Sequence, residues 1–215
     1  MMPRAGDRGE RHRNGGRAPA TLAAMRVKHI AFQSVERGPW IDAQARWLER
    51  SREADGLLGA WGATVRREAR AVFEWRDEAA ARAFMQTAHG AAHAEIGAVG
   101  KYAVLYLDPI VDLGPRGDAT YVAESIAWIK EGGVEPWLAS QRLWCEEMSR
   151  CEGFVGGSIA RGRRTFVATS FWRDERAHAH YLHAVIPGLR ARTTGDAHCA
   201  RLTRFHAPLV PSLTF

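Results

Sequence analysis

Residues 40–86 read WIDAQARWLERSREADGLLGAWGATVRREARAVFEWRDEAAARAFMQ, and residues 137–183 repeat this stretch without a gap. With a shift of 97 positions, 15 of the 47 aligned residues are identical, and three of the identical pairs are tryptophans. Tryptophan is a rare residue, so three Trp pairs in one register are not expected by chance. A repeated unit sets the architecture of a whole chain. The pattern predicts two related units of roughly 95 residues each.

Hydrophobic periodicity predicts the same order of elements in both units. Residues 27–35 alternate apolar and polar side chains, which is typical of a half-buried strand. Trp40, Gln44 and Trp47 recur at helical spacing in the segment that follows. A hairpin and a second helix come next, with Asp77 as the predicted N-cap, and a last strand closes the unit. The order β-α-β-β-α-β predicts a ferredoxin-like unit.

A four-stranded sheet with both helices on one face leaves its other face uncovered. Large exposed apolar faces are rare on monomers, so we expect the two sheets to cover each other. The predicted fold class is therefore α+β: two tandem ferredoxin-like units packed sheet to sheet as an intramolecular dimeric α/β barrel. The predicted boundaries are a disordered basic tail at 1–24, the first repeat at 25–113, a linker at 114–119, the second repeat at 120–210 and a C-terminal tail at 211–215.

The bulk composition is that of a soluble globular protein, because 46% of the 215 residues are hydrophobic and 25% are charged. No apolar run approaches the roughly 18 residues that span a bilayer, so no membrane partner is expected. The N-terminus also has no apolar segment typical of a signal peptide. The three cysteines form no Cys-x-x-Cys pair, which favours reduced thiols and a cytoplasmic location.

Half of the net charge of +6 comes from residues 1–24, which hold five arginines against two acidic residues. This Gly/Arg/Pro-rich tail has too few large apolar side chains to fold. Met25 stands directly before the first predicted strand, so the natural chain either begins there or includes the tail. Binding of nucleic acid through the tail is therefore a remote alternative, and nucleic acid is not the expected partner.

The hairpin opens with Gly56-x-x-Gly59 and closes with Phe-x-Trp-Arg-Asp-Glu at 73–78. With these motifs the chain resembles the dimeric α/β-barrel superfamily, which includes antibiotic-biosynthesis-monooxygenase-like (ABM-like) and stress-response barrel proteins. The first unit looks most like the YdbC-like bacterial proteins. The residues that carry this likeness are Gln44, Trp47, Gly56, Gly59, Trp75, Phe84, Met85, His89 and the strand through Asp108. The resemblance covers residues 26–112 well and 120–210 more loosely.

The resemblance implies a cavity between the sheet and the helices of each unit. Relatives use such cavities for cofactor-independent oxidation of polyketide quinols, for haem degradation or for binding alone. Haem-degrading relatives pair an Asn on the first strand with a Trp and a His on the second helix. This chain has no Asn on either first strand, and only His93 falls near the expected His. Haem is therefore a remote alternative, and no cofactor is expected.

The candidate catalytic residues are His89 and His93, one turn apart on the second helix. A neutral imidazole in an apolar cavity could take a proton from a phenol or quinol. The alternative for each histidine is a surface or packing role. The candidate ligand-binding residues are His29, Trp61, Trp75 and Phe84.

The second unit differs at these positions: Ile186 aligns with His89, and Ser158 aligns with Trp61. At most one site per chain is therefore predicted to be active. His180 and His183 lie three residues apart on the His-rich helix predicted for 174–189, but no further ligands converge on them, so no metal is expected.

Two main hypotheses follow for the function. The first is an ABM-like barrel that binds a small aromatic or planar molecule, or a stress-associated barrel, without catalysis. The second is a cofactor-independent monooxygenase of a phenolic or quinol substrate, with His89 or His93 as base. The expected partner is a small-molecule ligand. The expected assembly is a monomeric pseudo-dimer, and a further homodimer stays open.

Overall fold

The computed structural model describes residues 25–90, Ala94 and residues 100–215. The predicted tail at 1–24 and His93 lie outside the described residues. Eight antiparallel strands are present in this part of the chain: β1 Arg26–Gln33, β2 Leu57–Val65, β3 Glu68–Trp75, β4 Lys101–Asp112, β5 Tyr121–Ile129, β6 Phe154–Arg161, β7 Thr165–Trp172 and β8 Cys199–Pro208. The α-helices whose bounds lie within the same ranges are α1 Arg37–Arg52, α2 Glu78–Thr87, α3 Val134–Ser149, α4 Glu175–His180 and α5 Ile186–Arg192. A π-helical turn, Tyr181–Val185, joins α4 to α5.

The strands form one sheet in the order β2-β3-β1-β4-β6-β7-β5-β8. The edge strands β4 and β6 join the two units, with Asp108 opposite Arg161. At the other seam Ala63 bridges to Leu209, and the Val210 amide donates to the Gly62 carbonyl at 2.8 Å. The sheet therefore closes on itself as a barrel. The predicted fold, two ferredoxin-like units packed sheet to sheet in one chain, is confirmed.

Strand alternation gives each sheet a helix-facing side and a barrel-facing side. The barrel interior holds apolar side chains from both units: Trp61, Val72, Val122, Phe171 and Phe205. The rings of Trp61 and Phe171 meet edge to face, with centroids 5.8 Å apart. Each sheet thus covers the apolar face that the other would expose. None of the helices within the described ranges is long and apolar enough to cross a membrane.

The second helix of each unit begins at a repeated Asp. The Asp77 carboxylate accepts a hydrogen bond from the Ala80 amide at 2.7 Å, and Asp174 accepts one from Ala177 at 2.8 Å. A carboxylate at this position satisfies an amide that the helix itself leaves unpaired and complements the helix dipole. The helix caps explain why Asp recurs at equivalent places in the two units.

The repeated Gly56 and Gly153 have φ of +85° and +81°, the left-handed region that favours glycine. A Cβ on Gly153 would lie 2.5 Å from the Ala177 Cβ, and one on Gly56 would lie 2.6 Å from the Ala80 Cβ. The glycines therefore allow the turn before the hairpin to pack directly against the start of the following helix.

We expect Gly153→Ala to lower the free energy of unfolding by at least the roughly 1–2 kcal/mol cost of left-handed backbone for a residue with a Cβ. Urea denaturation measures this change. Gly188→Ala is the matched control, because nothing lies within 4 Å of the Cβ that it adds to α5. Ala is preferred over Gly in helices by about 1 kcal/mol, so the control should be neutral or stabilising. Equal losses in both variants would contradict the role given to Gly153.

Candidate ligand-binding site

A cavity of about 210 Å³ lies in the first unit between the sheet and helices α1 and α2. Its walls come from strands β1, β3 and β4 and from both helices. The lining residues are Lys28, Ile30, Phe32, Gln44, Trp47, Ser51, Phe73, Trp75, Phe84, Met85, His89, Tyr102, Val104 and Tyr106. The resemblance implied a cavity at this place, and we refer to it as the first-unit cavity.

Aromatic rings form the walls of the first-unit cavity. The Phe84 ring centroid lies 5.2 Å from that of Trp75 and 5.8 Å from that of Trp47. Tyr102 and Tyr106 on β4 are 51% and 48% exposed, so they mark the side on which the cavity reaches solvent. Rigid aromatic walls with one open side suit a flat ligand, because planar groups stack on such faces.

Lys28 places a cation among the aromatic side chains of the first-unit cavity. Its side chain is 8% exposed, and its Nζ lies 3.3 Å from the Met85 Sδ and 5.8 Å from the centre of the Trp47 ring. No carboxylate pairs with Lys28 among the residues that the structure describes. Burial lowers the pKa of Lys28 from 10.5 to about 8. The cavity therefore contains a positive charge in contact with an electron-rich ring and a thioether.

Further polar groups lie around this cation. Gln44 on α1 is 5% exposed and lines the cavity. Ser51 donates its hydroxyl hydrogen to the Trp47 carbonyl at 2.7 Å. His89 follows α2, and its ring centroid lies 5.0 Å from that of Trp47. An apolar cavity with a few convergent polar groups is the usual composition of a small-molecule site.

The predicted site residues divide between the two faces of the first sheet. Trp75, Phe84 and His89 come together in the first-unit cavity. His29 and Trp61 instead lie on the barrel-facing side, because successive strand residues point to opposite faces. They do not line the same cavity as Trp75. The prediction for His93 falls outside the described residues.

Lys28 is not among the predicted site residues, although the sequence contains a signal for it. Lys28 has the same strand parity as Ile30 and Phe32, which face the helices, so a cation falls in an apolar row. A charged residue on the buried face of a strand is uncommon unless it is paired or functional. The signal can be used only when it is known which face of the strand packs against the helices. The sequence repeat alone does not show which face that is.

His29 belongs to a buried network that links the two units. Its Nε2 lies 2.6 Å from one oxygen of Glu124 on β5, and the Arg70 Nε donates to the other oxygen at 2.9 Å. The Arg70 guanidinium also lies 4.3 Å from the centre of the Phe205 ring. Burial raises the pKa of Glu124, but the charges and hydrogen bonds of His29 and Arg70 together outweigh this, so the pKa lies below its usual value. The network fixes how the first unit sits on the second.

The second unit has its own cavity, of about 120 Å³, between its sheet and α3, α4 and the π-helical turn. Ile186 lines it at the position that aligns with His89. His178 is buried there, and burial and the charge of His206 lower its pKa to about 4. The described residues contain no group of three or more His, Cys, Asp or Glu side chains that could hold a metal ion. The second-unit cavity is smaller; it holds a neutral, buried histidine, and its cation, Arg204, is paired with Asp196.

Comparison with known proteins gives matches in structure alone; the chain matches no family model and no curated protein sequence. A monooxygenase candidate from Fusobacterium nucleatum superposes with a TM-score of 0.68 at 13% identity, over 90% of this chain and 94% of that one. An anthrone oxidase-like protein superposes with a TM-score of 0.63 at 12% identity, over 87% of this chain and 92% of that one. A ferredoxin-fold protein related to antibiotic biosynthesis monooxygenases, from Listeria monocytogenes, gives 0.55 at 9% identity, over 88% and 96%.

These likenesses establish the fold. The chain has the ferredoxin-like barrel architecture of those proteins over nearly its whole length. At such low identity the fold does not carry function with it, since one fold hosts many unrelated activities. The function therefore depends on the residues of the first-unit cavity itself.

Proposed function

We propose that the chain binds a small planar molecule with an ionisable hydroxyl, a phenol or a quinol, in the first-unit cavity. The observation that carries this proposal is Lys28, a buried cation without a carboxylate partner among the described residues, in a cavity with aromatic walls. The chain would be a small-molecule-binding or stress-associated barrel whose first unit is related to the YdbC-like proteins. We also infer that its working form is a single chain, because its two units already cover each other's sheets.

A phenolate matches the charge that Lys28 supplies. In a site of low dielectric, an opposite charge stabilises the ammonium far more than it would in water. The flat ring of the same ligand would stack between aromatic walls such as Trp47 and Trp75. An apolar cavity of about 150 Å³ holds benzene. A volume of about 210 Å³ with an open side therefore accommodates one or two fused rings and lets substituents protrude.

The similar structures support a planar ligand. One of them bears the name anthrone oxidase-like protein, and another is related to antibiotic biosynthesis monooxygenases. Anthrones are flat, fused-ring compounds with acidic hydrogens. The proposal for this chain agrees with these names, but it rests on the chemistry of the residues around Lys28.

Titration with 1-naphthol, followed by quenching of tryptophan fluorescence, tests the proposal. Naphthalene is the matched ligand without the hydroxyl. We expect 1-naphthol to bind at least ten times more tightly, because only its hydroxyl can ionise against Lys28. Val104→Trp should block the first-unit cavity, whereas Ser125→Trp fills the second-unit cavity and should leave binding intact. Loss of binding in Ser125→Trp alone, or equal affinity for both ligands, would contradict the proposal.

The position of His89 favours a second candidate function, that of a cofactor-independent monooxygenase. His89 lines the first-unit cavity and lies against Trp47, within the same space as the proposed ligand. As a base it would take a proton from an anthrone, whose CH₂ group would react with one O₂ to give a carbonyl and one water. Oxygen uptake with anthrone, one O₂ for each anthrone, and its loss in His89→Ala test this alternative. Binding of 1-naphthol without oxygen uptake from anthrone would contradict the monooxygenase and support a binding function without catalysis.

A further inference from the structure

A third cavity lies inside the barrel, at the end where β4 and β8 begin and β1 and β5 end. It has a volume of about 670 Å³ and lies between the facing sides of the two sheets. The space exists because Ala31 on β1 is paired with Ala103 on β4, and neither side chain extends beyond its Cβ. Deeper in the barrel, larger residues fill the interior. We call this space the barrel-end cavity; it lies mainly on the other face of the sheet from the first-unit cavity, and Tyr102 lines both.

Cations line the barrel-end cavity. Lys101 and Arg201 are both exposed, and neither has an ion-pair partner in the part of the chain that the structure describes. The Arg201 guanidinium lies 4.7 Å from the centre of the Trp128 ring, which is also part of the lining. Arg204, which lines both this cavity and the second-unit cavity, pairs with Asp196 at 3.2 Å. Glu68 is the acidic side chain among the lining residues, so positive charge is in excess.

The inner end of the cavity is polar as well. Arg70 lines it and is 5% exposed, and its charge is balanced by Glu124. The unbalanced charge therefore comes from Lys101 and Arg201 at the open end. Walls of low dielectric concentrate this charge and raise the local concentration of anions.

We propose that the barrel-end cavity binds a small organic anion with more than one negative charge, with carboxylate or phosphate groups held by Arg201 and Lys101. Arginine binds either group through two parallel hydrogen bonds, and Trp128 holds its guanidinium plane in place. A cavity of this volume is in the range of metabolite sites, so the ligand is larger than a single inorganic ion. This site goes beyond the proposed phenol site, because it uses different residues on the opposite face of the sheet.

Isothermal titration at low ionic strength with two probes, pyrophosphate and citrate, tests this proposal. Binding of pyrophosphate alone would indicate a phosphorylated ligand, and binding of citrate alone would indicate a polycarboxylate; either result supports the anion site. Absence of binding for both probes at millimolar concentration would overturn it.

The variants separate a built site from general attraction. Arg201→Gln should weaken binding at least tenfold, and Lys101→Gln severalfold; both residues are exposed, so the fold should not depend on them. Arg190→Gln is the matched control, because Arg190 is an exposed arginine of α5 outside the cavity lining. An equal loss in Arg190→Gln would show attraction to net charge only and would overturn the proposal. Because 1-naphthol binding should be unchanged in Arg201→Gln, failure of one site would not imply failure of the other.

Discussion

Glu124→Leu is expected to lower the free energy of unfolding by about 3–5 kcal/mol, the usual cost of removing one partner from a buried ion pair. The Glu124 side chain is fully buried and holds both His29 and Arg70. Without it the buried Arg70 guanidinium keeps the Ala69 carbonyl at 2.9 Å, a longer ion pair of 3.7 Å to the exposed Glu68 and the face of the Phe205 ring. Urea denaturation at pH 7 measures the loss.

Two further variants show whether the loss of the buried carboxylate beside Arg70 causes that decrease in stability. The double variant Glu124→Leu/Arg70→Met removes both charges and should recover a large part of the stability, because an apolar pair can replace a buried ion pair. Glu78→Gln removes a carboxylate from an exposed ion pair with Arg26 and should have little effect. A loss below about 1 kcal/mol in Glu124→Leu would show that the network does not stabilise the barrel.

The lowered pKa of Glu124 also sets the direction of the pH dependence. A carboxyl whose pKa is lower in the folded state than in the unfolded state stabilises the protein at pH values above its ordinary pKa of 4.5. This contribution is lost as the pH falls through the pKa of the folded state. The difference in stability between the wild type and Glu124→Leu should therefore narrow as the solution is acidified below pH 4.5.

The sequence contained enough information for the fold. The repeat of residues 40–86, together with the change from strand to helical periodicity, defined two ferredoxin-like units, and the uncovered sheet faces required them to pack together. Local chemistry also placed Asp77 as a helix cap, which the structure confirms. These features depend on residues close together in the chain, which a single sequence shows directly.

The functional residues depend on contacts that a single sequence does not show. His29 meets Glu124, 95 residues away, only because the barrel closes. The predicted helix at 174–189 is interrupted by the π-helical turn at Tyr181–Val185, which ends two residues before Pro187, a residue without an amide hydrogen for a regular helix. Strand parity would have marked Glu124, which stands between Val122 and Ile126 in a buried row. The partner of such a residue becomes visible only when the two sheets are brought face to face.

Lys28→Met is expected to make the protein more stable at pH 7. A pKa lowered from 10.5 to about 8 corresponds to about 3 kcal/mol against the charged form in the fold. Met has a similar length and packs well against aromatic rings, so it removes that cost and keeps the volume. For a chain of this size each kcal/mol shifts the melting temperature by about 2–4 °C. The melting temperature of the variant should therefore be several degrees above that of the wild type.

The pH dependence identifies the cause of this gain. Between about pH 8 and pH 10.5 the unfolded wild type binds a proton that folded Lys28 has lost, so its stability should rise with pH across this window. The rise should be absent in Lys28→Met and present in Lys101→Met, which removes an exposed lysine. A variant that is less stable than the wild type at pH 7 would contradict a buried, unpaired ammonium.

The same substitution should remove the preference for a phenol. Lys28→Met is expected to bind 1-naphthol and naphthalene with similar affinity, because the aromatic walls remain and the cation is gone. A substitution that raises stability and lowers affinity for one ligand of a matched pair cannot act through unfolding. It would instead show that the buried charge of Lys28 lowers the stability of the fold and raises the affinity for the ligand. Such a trade-off between stability and function is common at binding sites.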